Sequence, residues 1–266
     1  MRISIVTVTY NAESTIRRTM ESVARQTYGD VEHIIIDGAS KDKTVEIAKE
    51  YKATVLSEPD RGLYDAMNKA FRLVTGDYIC FLNAGDTLHS PDTLSHIAKA
   101  ASSAQTSTSN LSSSNPSAPI NSIPSTKSNL PAIIYGNTDI VDSDGHFLHP
   151  RRLTPPTLLT WRSFRKGMLV CHQAFYVNRQ IAQQYDTSYR FSADFDWCIR
   201  CMQEGEKQGM HNIYIKETLA DYLSEGMTTA NHKASLMERF RIMSHHYGLF
   251  STIAYHIWFI FSRHSR

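Results

Sequence analysis

Four stretches of this chain place polar groups directly after a β-branched run: Thr9-Tyr10-Asn11, Asp37-Gly38-Ala39-Ser40, Glu58-Pro59-Asp60-Arg61 and Asn83-Ala84-Gly85-Asp86. Any one of them is ordinary turn chemistry. Four in succession form a set able to meet a ligand, because ionised carboxylates accept hydrogen bonds and turn amides offer both donors and acceptors. Two further carboxylates, Asp194 and Asp196, stand two residues apart in a helical run. At that spacing they point roughly 200° away from each other, so only one can face a given partner. Asp196 precedes Arg200 by four residues, the spacing of a helix-surface ion pair, whereas Asp194 has no such neighbour. The CxxC pair Cys198 and Cys201 has no second pair nearby, so together with Cys80 and Cys171 it reads as buried thiols. His232, His245 and His246 read as surface or core residues.

The elements that must hold these groups alternate regularly. Strand-like Ile3 to Thr9, His33 to Ile36, Thr54 to Ser57 and Tyr78 to Leu82 are each followed by a helical pattern, over residues 14–25, 43–51, 63–74 and 91–101. Such alternation predicts a parallel sheet flanked by helices. In open sheets of this type ligands bind beyond the carboxyl ends of the strands, where the four polar stretches fall. Ser90-Pro91-Asp92 has the composition of a helix start. Residues 102–131 carry one charged residue, Lys127, and almost no large apolar groups, which predicts a flexible insertion inside the domain. Strands are expected again at Ala132 to Tyr135 and Asp139 to Asp142, with a hairpin turn at Ser143-Asp144-Gly145. Beyond it the pattern predicts a strand over 173–177, a helix over 194–204, a strand over 213–216 and a helix over 234–247.

With 266 residues, 41% of them hydrophobic, the chain can bury a core as one large domain or two small ones, and a net charge of +2 gives no argument for nucleic acid. The N-terminus runs straight into a β-branched segment and reads as a first strand rather than a leader.

These motifs together resemble the family 2 glycosyltransferases, particularly those of bacterial capsule, exopolysaccharide and lipopolysaccharide synthesis. The resemblance is carried by residues 4–11, 36–42, 57–69, 81–87 and 192–196, in family order. It implies an α/β GT-A fold: a Rossmann-like, mostly parallel central sheet flanked by helices, with a mixed acceptor-side half and C-terminal helices. It also implies one domain over 1–248, whose nucleotide-sugar half is 1–100 and acceptor half 132–248, with 249–266 as an amphipathic tail. The implied reaction is inverting transfer of a sugar from a nucleotide-sugar to a hydroxyl of a glycan or lipid-linked saccharide, with a UDP-sugar first and a GDP- or dTDP-sugar otherwise.

Carried over by position, the resemblance puts Thr9, Tyr10, Asn11, Asp37, Asp60, Arg61, Asp65, Asn68 and Asn83 around the donor. Asp86 becomes the ligand of a divalent cation, magnesium or manganese, and His172 with Gln173 borders the acceptor or diphosphate. Asn83 and Gly85 stand where the family often has aspartate, leaving Asp86 as the sole carboxylate of that turn. One or two carboxylates suffice for a magnesium ion that completes its shell with substrate and water. Inverting transfer also needs a carboxylate to take the acceptor's proton, and the resemblance assigns that role to Asp194. Ala193 replaces the family's frequent glutamate.

Arg151, Arg152, Arg162, Arg165 and Lys166 suit an anionic acceptor, an anionic membrane or simply a solvated face. The apolar run 249–261, followed by Arg263 and Arg266, would span only about 20 Å as a helix, short of a hydrocarbon core of roughly 30 Å. It is expected to lie on a membrane or to pack against protein. The expected location is the cytoplasm, at the inner face of the membrane. The competing functional reading is a catalytically silent nucleotide- or glycan-binding subunit, suggested by the depleted acidic turn.

Overall fold

Every residue of β1 (Ile3–Thr9) is buried, as expected of a strand covered on both faces. In the computed structural model, which describes residues 1–111, 130–224 and 232–263, Ile3 and Ile5 face one core while Val6 and Val8 face another. After β1 come α1 (Ile16–Ala24), β2 (Val31–Asp37), α2 (Thr44–Lys49), β3 (Thr54–Ser57), α3 (Leu63–Ala70) and β4 (Tyr78–Phe81). These four strands are parallel and lie in the order β3-β2-β1-β4. The chain therefore leaves β1 in one direction for β2 and β3 and in the other for β4. The crevice at such a reversal is where open α/β sheets bind ligands.

The second half extends the same sheet. It contains β5 (Thr87–Leu88), α4 (Thr93–Leu111), β6 (Ile133–Val141), β7 (Phe147–Pro150), β8 (Phe175–Asn178), α5 (Ala193–Lys207), β9 (Asn212–Leu223), α6 (His232–Tyr247) and α7 (Leu249–Arg263). The full order is β3-β2-β1-β4-β8-β6-β9-β5, with β7 added to the outer part of β6. β8 is antiparallel to both neighbours, so the sheet is mixed beyond β4. Trp197 of α5 stacks on Tyr185 at 4.9 Å and meets Phe81 of β4 edge-on at 5.5 Å, tying the halves into one core.

Several boundaries differ from those read in the sequence. α4 starts at Thr93 rather than Pro91, because the Ser90 hydroxyl accepts from the Asp92 N–H in a turn before the helix. It then runs to Leu111, into the stretch expected to be a loose insertion. Alanines at 98, 100, 101 and 104 favour helix, and the Ser102 and Ser103 hydroxyls bond back to carbonyls four residues earlier. The rest of that insertion, 112–129, lies outside the described residues, as do 264–266 of the tail. The two strands expected at 132–142 are one, β6, whose irregularity is absorbed by register shifts against β9 between Tyr135 and Thr138. β9 runs seven residues past Lys216 because β5 and outer β6 supply pairing partners for it.

No helix among the described residues is long and apolar enough to cross a membrane. α7 buries Thr252 and packs Tyr255 and Phe259 on the core, while Phe250 (90% exposed), Ile253, Ile257, Trp258 and Phe261 (69% exposed) form an apolar outer stripe.

Candidate active site

Parallel pairing brings Thr9, Asp37 and Ser57 side by side at the carboxyl edge, Thr9 opposite Asp37 and Asp37 opposite Ser57. Asp37 is fully buried. Its carboxylate accepts from the Ser40 hydroxyl, the Ser40 N–H (3.0 Å) and the Ser57 hydroxyl (2.6 Å). Asn11, at φ 47°, ties the first loop to the second: its N–H donates to Ser40 Oγ at 2.8 Å and its Oδ1 accepts from the Lys41 N–H at 2.9 Å. A Cβ on Gly38 would meet Asp60 Oδ2 at 2.5 Å and the Tyr10 ring at 3.3 Å, so glycine there lets three loops converge. Thr9 Oγ1 is buried without a partner, and Tyr10 is exposed. Asp60 accepts from the Gly62 N–H at 2.8 Å in the turn before α3. Arg61 is exposed and pairs at 3.3 Å with Asp65, whose carboxyl is held below its ordinary range by the Arg61 N–H first and the guanidinium second. Asn68 is engaged elsewhere: its amide exchanges both hydrogen bonds with the Tyr185 backbone, at 2.9 and 2.7 Å.

After β4 the chain continues along β1, Leu82 N–H donating to the Val6 carbonyl at 2.9 Å, and then turns at Asn83-Ala84-Gly85-Asp86. Gly85 has φ 102°, and a Cβ there would lie 2.8 Å from Leu223 Cδ2. Aspartate at 85 would be strained, which explains one departure from the fuller acidic turn. Thr19 of α1 braces the turn, donating to the Asp86 carbonyl at 2.7 Å and accepting from the Gly85 N–H at 2.9 Å. The Asp86 side chain is buried. Oδ1 accepts from the Leu223 N–H at 2.9 Å and Oδ2 from Gln173 Nε2 at 2.7 Å. Burial pushes its carboxyl up to about 6, against the lowering effect of those two bonds.

Asp194 sits in the first turn of α5, at the positive end of the helix dipole. Tyr64 of α3 donates to Oδ1 at 3.0 Å, and His172 Nδ1 lies 3.2 Å from Oδ2. Burial would raise its carboxyl, but the His172 hydrogen bond and charge, the Arg239 charge and the Tyr64 hydroxyl together hold it below the ordinary range. The other His172 nitrogen lies 3.4 Å from Asn83 Nδ2, so Asn83, His172, Asp194 and Tyr64 form one chain from the β4 turn to α3. Asp196 points away, as its spacing predicts: it pairs with Arg200 at 2.6 Å and with His246 at 2.7 Å. All four cysteines are buried and free.

Tyr64 was legible within the 57–69 run but carried no assigned role. Glu238 and Arg239 of α6 had no sequence signal at all. Of the basic run, Arg151 is spent on the carbonyls of Leu153, Met168 and Leu169, Arg162 on Glu206 and Arg165 on the Tyr247 ring face. Arg152 and Lys166 are exposed.

The carboxylate turn fits a hard divalent ion. Asn83 Oδ1 is a buried oxygen without a partner beside Asp86, and each Asp86 oxygen keeps a lone pair beyond its single hydrogen bond. Groups of three metal-ligating side chains occur elsewhere among the described residues, at His89, Asp139 and Asp221 and at Asp142, Asp144 and His146, and neither includes Asp86.

The sequence model of the family described as Glycosyl transferase family 2 matches residues 4–186. A PGL/p-HBAD biosynthesis glycosyltransferase of Mycobacterium bovis is 29% identical over 207 residues, covering 74% of this chain and 68% of its own. The amylovoran biosynthesis glycosyltransferase AmsB of Erwinia amylovora is 28% identical over 245 residues, covering 86% and 72%. Among solved structures, Staphylococcus aureus TarS 1-349 in complex with UDP-GlcNAc superposes with a TM-score of 0.64 at 15% identity. That match covers 91% of this chain and 64% of the TarS chain, so this chain spans less than two thirds of it. The mannosyltransferase PcManGT of Pyrobaculum calidifontis, in complex with GDP-Man and Mn2+, gives 0.56 at 14% identity, covering 96% and 73%. The neighbours share the GT-A fold, and with the family match over most of its length this chain belongs to glycosyltransferase family 2.

Proposed function

We propose that the protein transfers a sugar, with inversion, from a nucleotide-sugar to a hydroxyl of a glycan or lipid-linked saccharide in cell-surface polysaccharide synthesis. The observation that carries this reading is Asp194, a carboxylate whose side chain is 14% exposed and which is kept ionised by His172 from one half of the molecule and Tyr64 from the other. An ionised carboxylate in that position accepts the acceptor's proton as its oxygen bonds to the anomeric carbon. The bond from that carbon to the diphosphate breaks, and the electron pair leaves on the phosphate oxygen. Thr9, Tyr10, Asn11, Asp37, Asp60 and Arg61 are the residues whose loops converge where the nucleotide would lie. Asp86 and Asn83 would hold magnesium or manganese, which when bound neutralises charge on the departing diphosphate. His172 links Asp194 to Asn83, and Gln173 donates to Asp86, so the two neighbours brace both ends of the site. The TarS and PcManGT complexes contain UDP-GlcNAc and GDP-Man, respectively, which supports a donor of that class.

The outer stripe of α7 favours contact with a membrane interface, where a lipid-linked acceptor resides: its Phe, Ile and Trp side chains repeat at the helical period. Screening UDP-, GDP- and dTDP-sugars for thermal stabilisation and for Mn2+-dependent hydrolysis tests the central reading. A stabilising donor hydrolysed only with metal is expected. Stabilisation without any hydrolysis or transfer would instead support the silent binding subunit, and no response to any donor would overturn both.

A further inference from the structure

Helix α6 lays one face across the N-terminal end of α5. Ser235 meets the Ser192 hydroxyl at 2.9 Å, Ile242 is fully buried, and His246 Nε2 lies 2.7 Å from Asp196. Positions 235, 239, 242 and 246 recur on a single helix face. Arg239 therefore falls between the two contacts that flank Asp194 in sequence. The adjacent Glu238 sets the position of the helix: its carboxylate accepts from the N–H groups of Arg190, Phe191 and Ser192 at 2.8, 2.7 and 2.9 Å. Arg239 acts on Asp194 through space, yet its guanidinium makes no hydrogen bond or ion pair among the described residues, and its Nε is buried without a partner. A buried guanidinium nitrogen with no partner among the described residues is a candidate donor to an anion from outside them.

We infer that Arg239 is a substrate-binding residue that receives the sugar-linked phosphate of the donor, an inference that rests on the donor reading above. Three arguments support it. In an inverting displacement the base oxygen and the leaving oxygen are separated by roughly 7 Å, a hydrogen bond, a near-attack contact and the breaking C–O bond in line. A cation that influences Asp194 without touching it is suited to that range. The acidic turn offers a single carboxylate, so a second positive group would complement any cation held there in facing a diphosphate. The planar fork of arginine also matches phosphate oxygens two at a time.

The test compares UDP with UMP, and GDP with GMP, by titration calorimetry on the full chain, for wild type, Arg239→Gln and Arg239→Lys. The ratio of diphosphate to monophosphate affinity within each protein is read, since it is insensitive to a fraction of unfolded material. Arg239→Gln is expected to lower that ratio about 10- to 100-fold, the worth of a hydrogen bond to a charged group, and Arg239→Lys to lower it less. If Arg239→Gln does not fold, a lowered ratio in Arg239→Lys, which keeps the charge but loses the fork, is the supporting outcome. Unchanged ratios in the variants that fold overturn the role of Arg239 alone. A wild-type protein that binds none of these four nucleotides, nor dTDP, overturns the donor reading itself.

Discussion

Replacing Asp86 by Asn should stabilise the metal-free protein at neutral pH while removing the proposed metal ligand. Burial raises this carboxyl from 3.8 to about 6, so its ionised form is disfavoured in the folded state. The sign follows from linkage: the Asp86 contribution to stability is greatest below about pH 4 and declines as the pH rises through about 6, levelling off above. At pH 7.5 the ionised carboxylate costs on the order of 3 kcal/mol, and at pH 4.5 roughly 1 kcal/mol. The Gln173 amide can turn to accept from the new Asn side chain, giving up only its contact with the weak Cys171 donor. Any cost of that change is independent of pH. The difference in variant effect between the two pH values, about 2 kcal/mol, therefore belongs to the ionisation, and the full effect corresponds to roughly 5–12 °C in Tm at pH 7.5 for a domain of this size. Thermal melts in chelator at both pH values provide the assay, and repeating them with Mn2+ and UDP should stabilise wild type more than the variant. An offset that is equal at the two pH values would refute the argument from burial.

Asp194→Asn should lower turnover by about 10²- to 10⁴-fold with nucleotide affinity unchanged, checked by initial rates and calorimetry. Tyr64→Phe keeps the ring stacked on Tyr185 but removes a donor that helps hold Asp194 low, so the acid limb of the kcat/KM profile should move to higher pH. An unmoved limb would show that the hydroxyl does not tune the base. Glu238→Ala leaves the N–H groups of Arg190, Phe191 and Ser192 without their acceptor, and should cost about 1–3 kcal/mol by denaturant titration and reduce turnover by loosening the approach to Asp194. Phe250→Ser should weaken sedimentation with anionic vesicles without lowering Tm, since that side chain is 90% exposed.

The alternation of β-branched runs with amphipathic helices determined by itself the parallel β1–β4 unit and the edge at which its loops gather, because burial on both faces writes continuous apolar runs into the strands. The i,i+4 spacing of Asp196 and Arg200 likewise determined which of two carboxylates would be neutralised, since it is a local geometric property of the helix. The motif resemblance supplied the roles of Asp86 and Asp194, but not their surroundings. Only the tertiary structure decided that Gln173 and the end of β9 occupy both oxygens of Asp86, that Leu223 crowds the position of Gly85, and that Asn68 braces Tyr185. It also decided that Tyr64 and His172, far apart in the chain, meet on Asp194, and that α6 brings Arg239 within electrostatic reach of it. Each of these depends on contacts between residues tens to more than a hundred positions apart, and no local propensity or periodicity encodes which distant segments will come together.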